Sequence, residues 1–162
     1  MAVSKEFLDA LNQDLALEWS AMIQYTQHAS VIVGKDWPII EELLKHADEE
    51  FGHAKDLSDR IDYLGGVPTI DVGERKISTE PLQMIQQDLE GERTAIRRYS
   101  ERIKQAVDIG DEGTAEILRG ILTDEQEHEN DLMTAIGNSE KSVTEDLVKE
   151  ASLTFFKMAS AQ

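Results

Sequence analysis

Glu50-Phe51-Gly52-His53-Ala54-Lys55-Asp56-Leu57-Ser58-Asp59-Arg60-Ile61 and Glu125-Gln126-Glu127-His128-Glu129-Asn130-Asp131-Leu132-Met133-Thr134-Ala135-Ile136 share one pattern, Glu-x-x-His-x-x-Asp-Leu-x-x-x-Ile. Steps of three and four residues carry Glu, His, Leu and Ile along one face of an α-helix. Leu and Ile belong in a core, so the Glu and His beside them point into the same core. A second pattern precedes each copy: Asp14-Leu15-x-x-Glu18-x-x-Ala21-x-x-x-Tyr25 returns as Asp88-Leu89-x-x-Glu92-x-x-Ala95-x-x-x-Tyr99. Glu18 precedes Glu50 by 32 positions, and Glu92 precedes Glu125 by 33. The chain thus reads as two similar helix pairs with polar insertions related by a pseudo-two-fold axis.

The apolar stripes around these insertions define four long helices. The first runs from about Ser4 to Val33 through Leu8, Leu11, Leu15, Glu18, Met22, Tyr25, Ala29 and Ile32. After a break at Gly34-Lys35-Asp36, Asp36 can cap a second helix with Pro38 in its first turn. Its stripe is Ile39, Leu43, His46, Glu50, His53, Leu57, Ile61 (or Arg60) and Leu64; Gly65-Gly66 end it, and Pro68 blocks its continuation. Residues 66–79 show no periodicity and are long for a helix–helix link, so they should cross the bundle lengthwise or serve a function. The third stripe is Leu82, Ile85, Leu89, Glu92, Ile96, Tyr99, Ile103 and Ala106. Asp111 caps a fourth helix through Leu118, Ile121, Glu125, His128, Leu132 and Ala135 or Ile136, closed by Gly137-Asn138. Two short connections flanking one long one predict an all-α four-helix bundle with a single crossover. Leu147, Ala151, Phe155 and Met158 add a short C-terminal fifth helix.

Composition narrows the function. The 162 residues contain 33 Asp plus Glu against 16 Lys plus Arg, a formal charge of −17. This surface disfavours nucleic acid and anionic membranes and attracts cations. With no Cys, thiolate metal sites, disulfides and thiol nucleophiles are excluded. The acidic N-terminal stretch is unlike a signal peptide, and no long uncharged apolar run occurs, so a soluble, cytoplasmic protein is expected. Strand signals, a Gly-rich phosphate loop and a Ser nucleophile elbow are also lacking.

Six residues then carry the chemistry: Glu18, Glu50, His53, Glu92, Glu125 and His128. Four core carboxylates without partners are costly to bury, and the usual outcomes are neutralisation or metal coordination. One Glu from each of two helices plus Glu-x-x-His from each of the others is the ligand set of dinuclear carboxylate centres. Carboxylate oxygen with imidazole nitrogen suits iron, with manganese or zinc as competitors. The plainer alternative pairs the carboxylates only with His and Tyr.

On these residues the chain resembles the ferritin-like superfamily, and bacterioferritins and bacterial ferritins most closely. The likeness covers nearly the whole length and includes Gln24-Tyr25, His28-Ala29, His53-Ala54 and Leu64-Gly65-Gly66-x-Pro68. It implies one ferritin-like diiron domain over residues 1–162, with the bundle at about 4–137 and the fifth helix at about 142–159. It also implies two iron ions, one on Glu18 and His53 and one on Glu92 and His128, with Glu50 and Glu125 bridging. Tyr25 would be a hydrogen-bond partner, a one-electron donor or simply a core aromatic. Bacterioferritins bind haem through a Met directly after the second-helix Glu; here that position is Phe51 and the helix has no other Met, so haem is not expected there. His46 is an extra ligand, a donor to Glu50 or a core histidine. His28 is assigned a structural role, and Asp48 and Glu49 are placed facing solvent or a cage interior.

The resemblance implies Fe(II) oxidation by oxygen or peroxide, followed by mineral storage in a homo-oligomeric cage. The apolar fifth helix suits a 24-subunit shell, unless it folds back on its own bundle. Two alternatives share the fold: a rubrerythrin-like peroxide reductase, disfavoured because no Cys could supply a rubredoxin domain, and a non-catalytic or DNA-protecting shell, disfavoured by the acidic surface.

Overall fold

A computed structural model describes residues 3–33 and 38–137. Among them are four long helices and no strand: α1 (Lys5–Val31), α2 (Ile40–Tyr63), α3 (Pro81–Asp108) and α4 (Glu112–Ile136). The expected break at 34–36 and the fifth helix at 142–159 lie outside the described residues. Local chemistry sets the helix ends. Ser4 Oγ accepts from the Phe7 amide at 3.2 Å to cap α1, and Asp111 caps α4 by accepting from the Thr114 amide at 3.1 Å. After α2 the chain turns at Gly65 with φ +83°, a conformation that disfavours a side chain.

α1 packs chiefly on α2, and α3 on α4, with α1–α3 and α2–α4 contacts joining the two hairpins. The core is not continuous along the bundle. One apolar cluster includes Leu11, Leu15, Leu57, Ile61, Ala106 and Leu118; the other includes Ala29, Ile32, Leu43, Met84, Ile85 and Leu132. Between them every helix contributes polar side chains, so a buried polar layer lies between two apolar plugs. Leu82, expected in the third stripe, is instead 55 % exposed, and Met84 fills the core at 0 %. The helix enters the bundle half a turn later than the leucine spacing implied.

The crossover between α2 and α3 runs along α1 and is fastened at every fourth residue. Asn12 Nδ2 donates to the Val67 carbonyl and its Oδ1 accepts from the Thr69 amide. The Ala16 carbonyl accepts from Gly73, Ser20 donates to the Glu74 carbonyl, and Gln24 Oε1 accepts from the Lys76 amide at 2.5 Å. His28 Nε2 completes the row, 3.2 Å from the Lys76 carbonyl. Positions 12 to 28 span about 24 Å of helix, so the segment does cross the bundle lengthwise. Its backbone passes so close to α1 that a Cβ on Gly73 would lie 3.0 Å from Leu17 and 3.3 Å from the Ala16 carbonyl.

Candidate metal centre

All six residues singled out by the repeats lie in the polar layer, each no more than 5 % exposed: Glu18, Glu50, His53, Glu92, Glu125 and His128. Their geometry divides into two halves. His53 Nδ1 lies 3.3 Å from Glu18 Oε2, 3.4 Å from Glu50 Oε2 and 3.4 Å from Glu125 Oε1. His128 Nδ1 lies 3.2 Å from Glu50 Oε1, 3.6 Å from Glu125 Oε2 and 3.8 Å from Glu92 Oε2. Glu50 and Glu125 therefore turn one oxygen to each half, while Glu18 and Glu92 each serve one.

None of these contacts is aligned as a hydrogen bond. Glu18 Oε2, Glu50 Oε1, His53 Nδ1, Glu92 Oε2, both Glu125 oxygens and His128 Nδ1 are buried with no partner. Buried polar atoms are nearly always satisfied, so unpartnered atoms converging on one small volume mark the layer as a candidate cation site. Metal–ligand bonds of about 2.0–2.2 Å put neighbouring ligand atoms about 3.0–3.5 Å apart, the range seen around His53. Glu18, Glu50, His53 and Glu125 could hold one cation, and Glu50, Glu92, Glu125 and His128 a second.

Electrostatics agrees with this division. Burial pushes the Glu18 carboxyl well above the ordinary range, and the charges of Glu50 and Glu125 push it further. Glu92 is raised by burial and by Glu125. Burial also raises Glu50 and Glu125, but close imidazoles and the neighbouring carboxyls outweigh it and bring both below the usual range. For His53 and His128 burial opposes protonation; surrounding carboxylates, Glu125 foremost, win and hold both well above the ordinary imidazole value. Without a cation, the layer favours protons on His53 and His128 and on the raised carboxyls of Glu18 and Glu92, leaving Glu50 and Glu125 as the charged pair.

The outer contacts obey the same two-fold rule. Tyr25 donates to Glu92 and Tyr99 donates to Glu18, each reaching from the opposite long helix. Burial, followed by the charge of its own Glu, pushes each phenol well above its ordinary value, so both remain donors. His53 Nε2 is bonded to Asp124 at 3.1 Å, and His128 Nε2 to Glu49 at 3.0 Å. These carboxylates orient each ring so that its Nδ1 faces the layer. Further out, Asp88 is held by Gln24 and His28, and Asp14 by Arg98 and Arg102. Positions 24, 25 and 28 reappear 74 residues later as 98, 99 and 102, so each Asp is clamped by residues flanking the other helix's Tyr.

Sequence reasoning placed Tyr25 beside the layer but gave Tyr99 no role, although the repeat pairs them. It placed Glu49 towards solvent or a cage interior; the side chain is 39 % exposed, yet its Oε2 holds His128. The signal was present: Glu49 and Asp124 each immediately precede the Glu of a Glu-x-x-His copy. His28 is buried on Asp88, in keeping with a structural role. His46 donates no hydrogen bond to Glu50; its ring is stacked on His128 with centroids 4.0 Å apart. Phe51 is 53 % exposed and packs 6.1 Å from Trp19.

No helix among the described residues is long and apolar enough to cross a membrane. The Ferritin-like domain family matches residues 8–142. Bacterioferritin of Rhodobacter capsulatus is 30 % identical over 80 % of this chain and 81 % of its own length. Bacterioferritin of Streptomyces coelicolor is 30 % identical over 84 % and 83 %. Among solved structures, the Rhodobacter capsulatus bacterioferritin, with a metal-free dinuclear site and haem iron, superposes with a TM-score of 0.77 at 28 % identity, covering 87 % of this chain and 89 % of that one. A ferritin-like diiron-carboxylate protein of Bacillus anthracis gives 0.79 at 29 % identity, over 82 % and 96 %. The chain belongs to the ferritin-like family, with bacterioferritins among its relatives.

Proposed function

We propose that this protein stores iron, oxidising Fe(II) at the buried layer before the product is mineralised inside a homo-oligomeric cage. One Fe(II) is taken by Glu18 and His53, the other by Glu92 and His128, and Glu50 and Glu125 bridge them. The observation that carries the reading is the convergence of unpartnered oxygen and Nδ1 atoms from all six residues. Each Fe(II) gives up one electron. The two electrons, with two protons, reduce one oxygen molecule to hydrogen peroxide or one peroxide to two waters. Four carboxylates favour the product pair, whose total charge is higher, and Tyr25 and Tyr99 hold the terminal carboxylates in place.

A cavity of about 280 Å³ leads to the layer between α1 and α3 and is lined by Glu18, Gln24, Glu50, Asp88, Glu92 and Glu125. Its acidic walls suit a cationic substrate. Exposed Ile23, Leu44 and Phe51 support burial against other copies in an assembly. Phe51 offers no lone pair to haem iron, so no haem is bound through that position.

Anaerobic protein mixed with two equivalents of Fe(II) and then with oxygen tests the reading, together with gel filtration. Storage predicts one oxygen consumed per two Fe(II), and a particle of roughly 440 kDa from twenty-four copies of the 18.2 kDa chain. Oxidation no faster than in free solution defeats the catalytic assignment. A stable dimer with fast peroxide turnover favours the peroxide-reductase alternative.

A further inference from the structure

We propose that Glu42, His46 and Asp131 form a third site for a divalent transition-metal ion, at the mouth of a cleft between α2 and α4. The cleft has a volume of about 440 Å³ and is walled by Pro38, Ile39, Ile85 and Thr134, with Glu42 and Asp131 at its polar edge. The two carboxylates are 36 % and 35 % exposed, and His46 behind them is 0 % exposed. His46 Nε2 lies 3.3 Å from Glu42 Oε1 and 3.5 Å from Asp131 Oδ2, and neither contact is aligned as a hydrogen bond. The other ring nitrogen also lacks a partner.

The spacing is that of ligand atoms around one ion with bonds of about 2.0–2.2 Å. All three residues present their atoms within one ion's reach. Two carboxylates and an imidazole select the Fe(II), Mn(II) and Zn(II) class.

The internal repeat shows that folding does not demand this cluster. The equivalents of Glu42 and His46, 75 positions on, are Ile117 and Ile121, and Ile121 packs in the core at 3 % exposure. One half of the pseudo-two-fold fills the position with an isoleucine; the other half buries an imidazole whose nitrogens have no hydrogen-bond partner. A fully buried polar ring costs stability where an apolar one serves, so the substitution calls for a ligand. Lys45 Nζ holds Glu42 Oε1 at 3.1 Å, but it is 53 % exposed and can swing into solvent when a dication arrives. The other side of His46 stacks on His128, so an ion here would sit one ring away from the proposed iron pair.

Crystals of the full chain soaked in Zn(II) alone, with anomalous scattering recorded at the zinc edge, test the site. The wild type should show a peak touching His46 Nε2, Glu42 and Asp131. The double variant Glu42→Gln/Asp131→Asn should lose that peak while peaks among Glu18, Glu50, His53, Glu92, Glu125 and His128 persist. Zinc at the pair with nothing at the triad in the wild type overturns the inference, leaving a histidine merely flanked by two acids. So does a peak on His46 that survives in the double variant through Glu49 and His128. Zinc at the triad with none at the pair supports this site and defeats the iron-pair assignment instead.

Discussion

Replacing Glu18 with glutamine should make the metal-free protein more stable and the metal-loaded protein less stable. Glu18 Oε1 accepts from Tyr99, and Oε2 is buried without a partner, 3.3 Å from His53 Nδ1 and facing carboxylates. An amide keeps the carbonyl for Tyr99 and offers an N–H to Glu50 or Glu125 where the wild type has repulsion. Removing one unsatisfied buried carboxylate is worth about 1–3 kcal/mol, or roughly 2–12 °C in Tm for a chain of this size. The size of this advantage depends on pH. Burial and the charges of Glu50 and Glu125 place the folded-state value of Glu18 above its ordinary 4.5. The folded wild type therefore binds the extra proton, and it loses stability as pH rises through the folded-state value. Glutamine does not titrate, so the advantage of Glu18→Gln should be large at pH 7–8 and close towards pH 4. Zinc reverses the order: at a thousand times Kd, a site contributes about 4.1 kcal/mol, more than the amide gains, and the variant has lost a ligand to it. Thermal unfolding with chelator and with zinc, at pH 4, 6 and 8, measures both effects. A metal-free variant less stable than wild type at pH 8, or an equal zinc shift in both proteins, refutes the reasoning.

The two-fold arrangement of donors makes further predictions. Tyr99→Phe and Tyr25→Phe each free one terminal carboxylate, so stopped-flow Fe(II) oxidation should slow about tenfold in each, and by similar amounts. Unequal losses would give one tyrosine a role beyond holding its Glu. Asp124→Asn and Glu49→Gln replace the charged acceptors of His53 and His128 with neutral amides and should each weaken Zn(II) binding about 10–100-fold in calorimetric titration. The protein should bind Zn(II) more weakly as pH falls and should release protons on binding. The carboxylates that raise His53 and His128 keep protons on them in the metal-free layer, and those protons must leave. Buffers of different ionisation enthalpy count the protons released; a count of zero contradicts this.

The bundle was legible because each helix carries a long stripe broken only where the layer lies, and because the repeats mark the same breaks twice. Gly65, Pro68, Asp111 and Gly137 punctuate it as their backbone chemistry requires. Leu82 misled because one leucine at the start of a helix cannot set its rotation; packing did, and chose Met84. The six inward polar residues were readable from periodicity. Their partners were less so, because Tyr99, Asp124 and Glu49 act across the bundle on other helices. The repeat held the information, since a role for Tyr25 implies one for Tyr99. The row of Asn12, Ala16, Ser20, Gln24 and His28 had no such cue: an aperiodic crossover does not announce the helix it will lie on.

Anomalous diffraction at the iron edge, from crystals loaded anaerobically with Fe(II), would locate the iron pair itself. Two peaks per chain should appear in the buried layer, one against His53 Nδ1 and Glu18, the other against His128 Nδ1 and Glu92, both touching Glu50 and Glu125. A single peak, an empty layer, or iron bound on the Nε2 side of either histidine would contradict it.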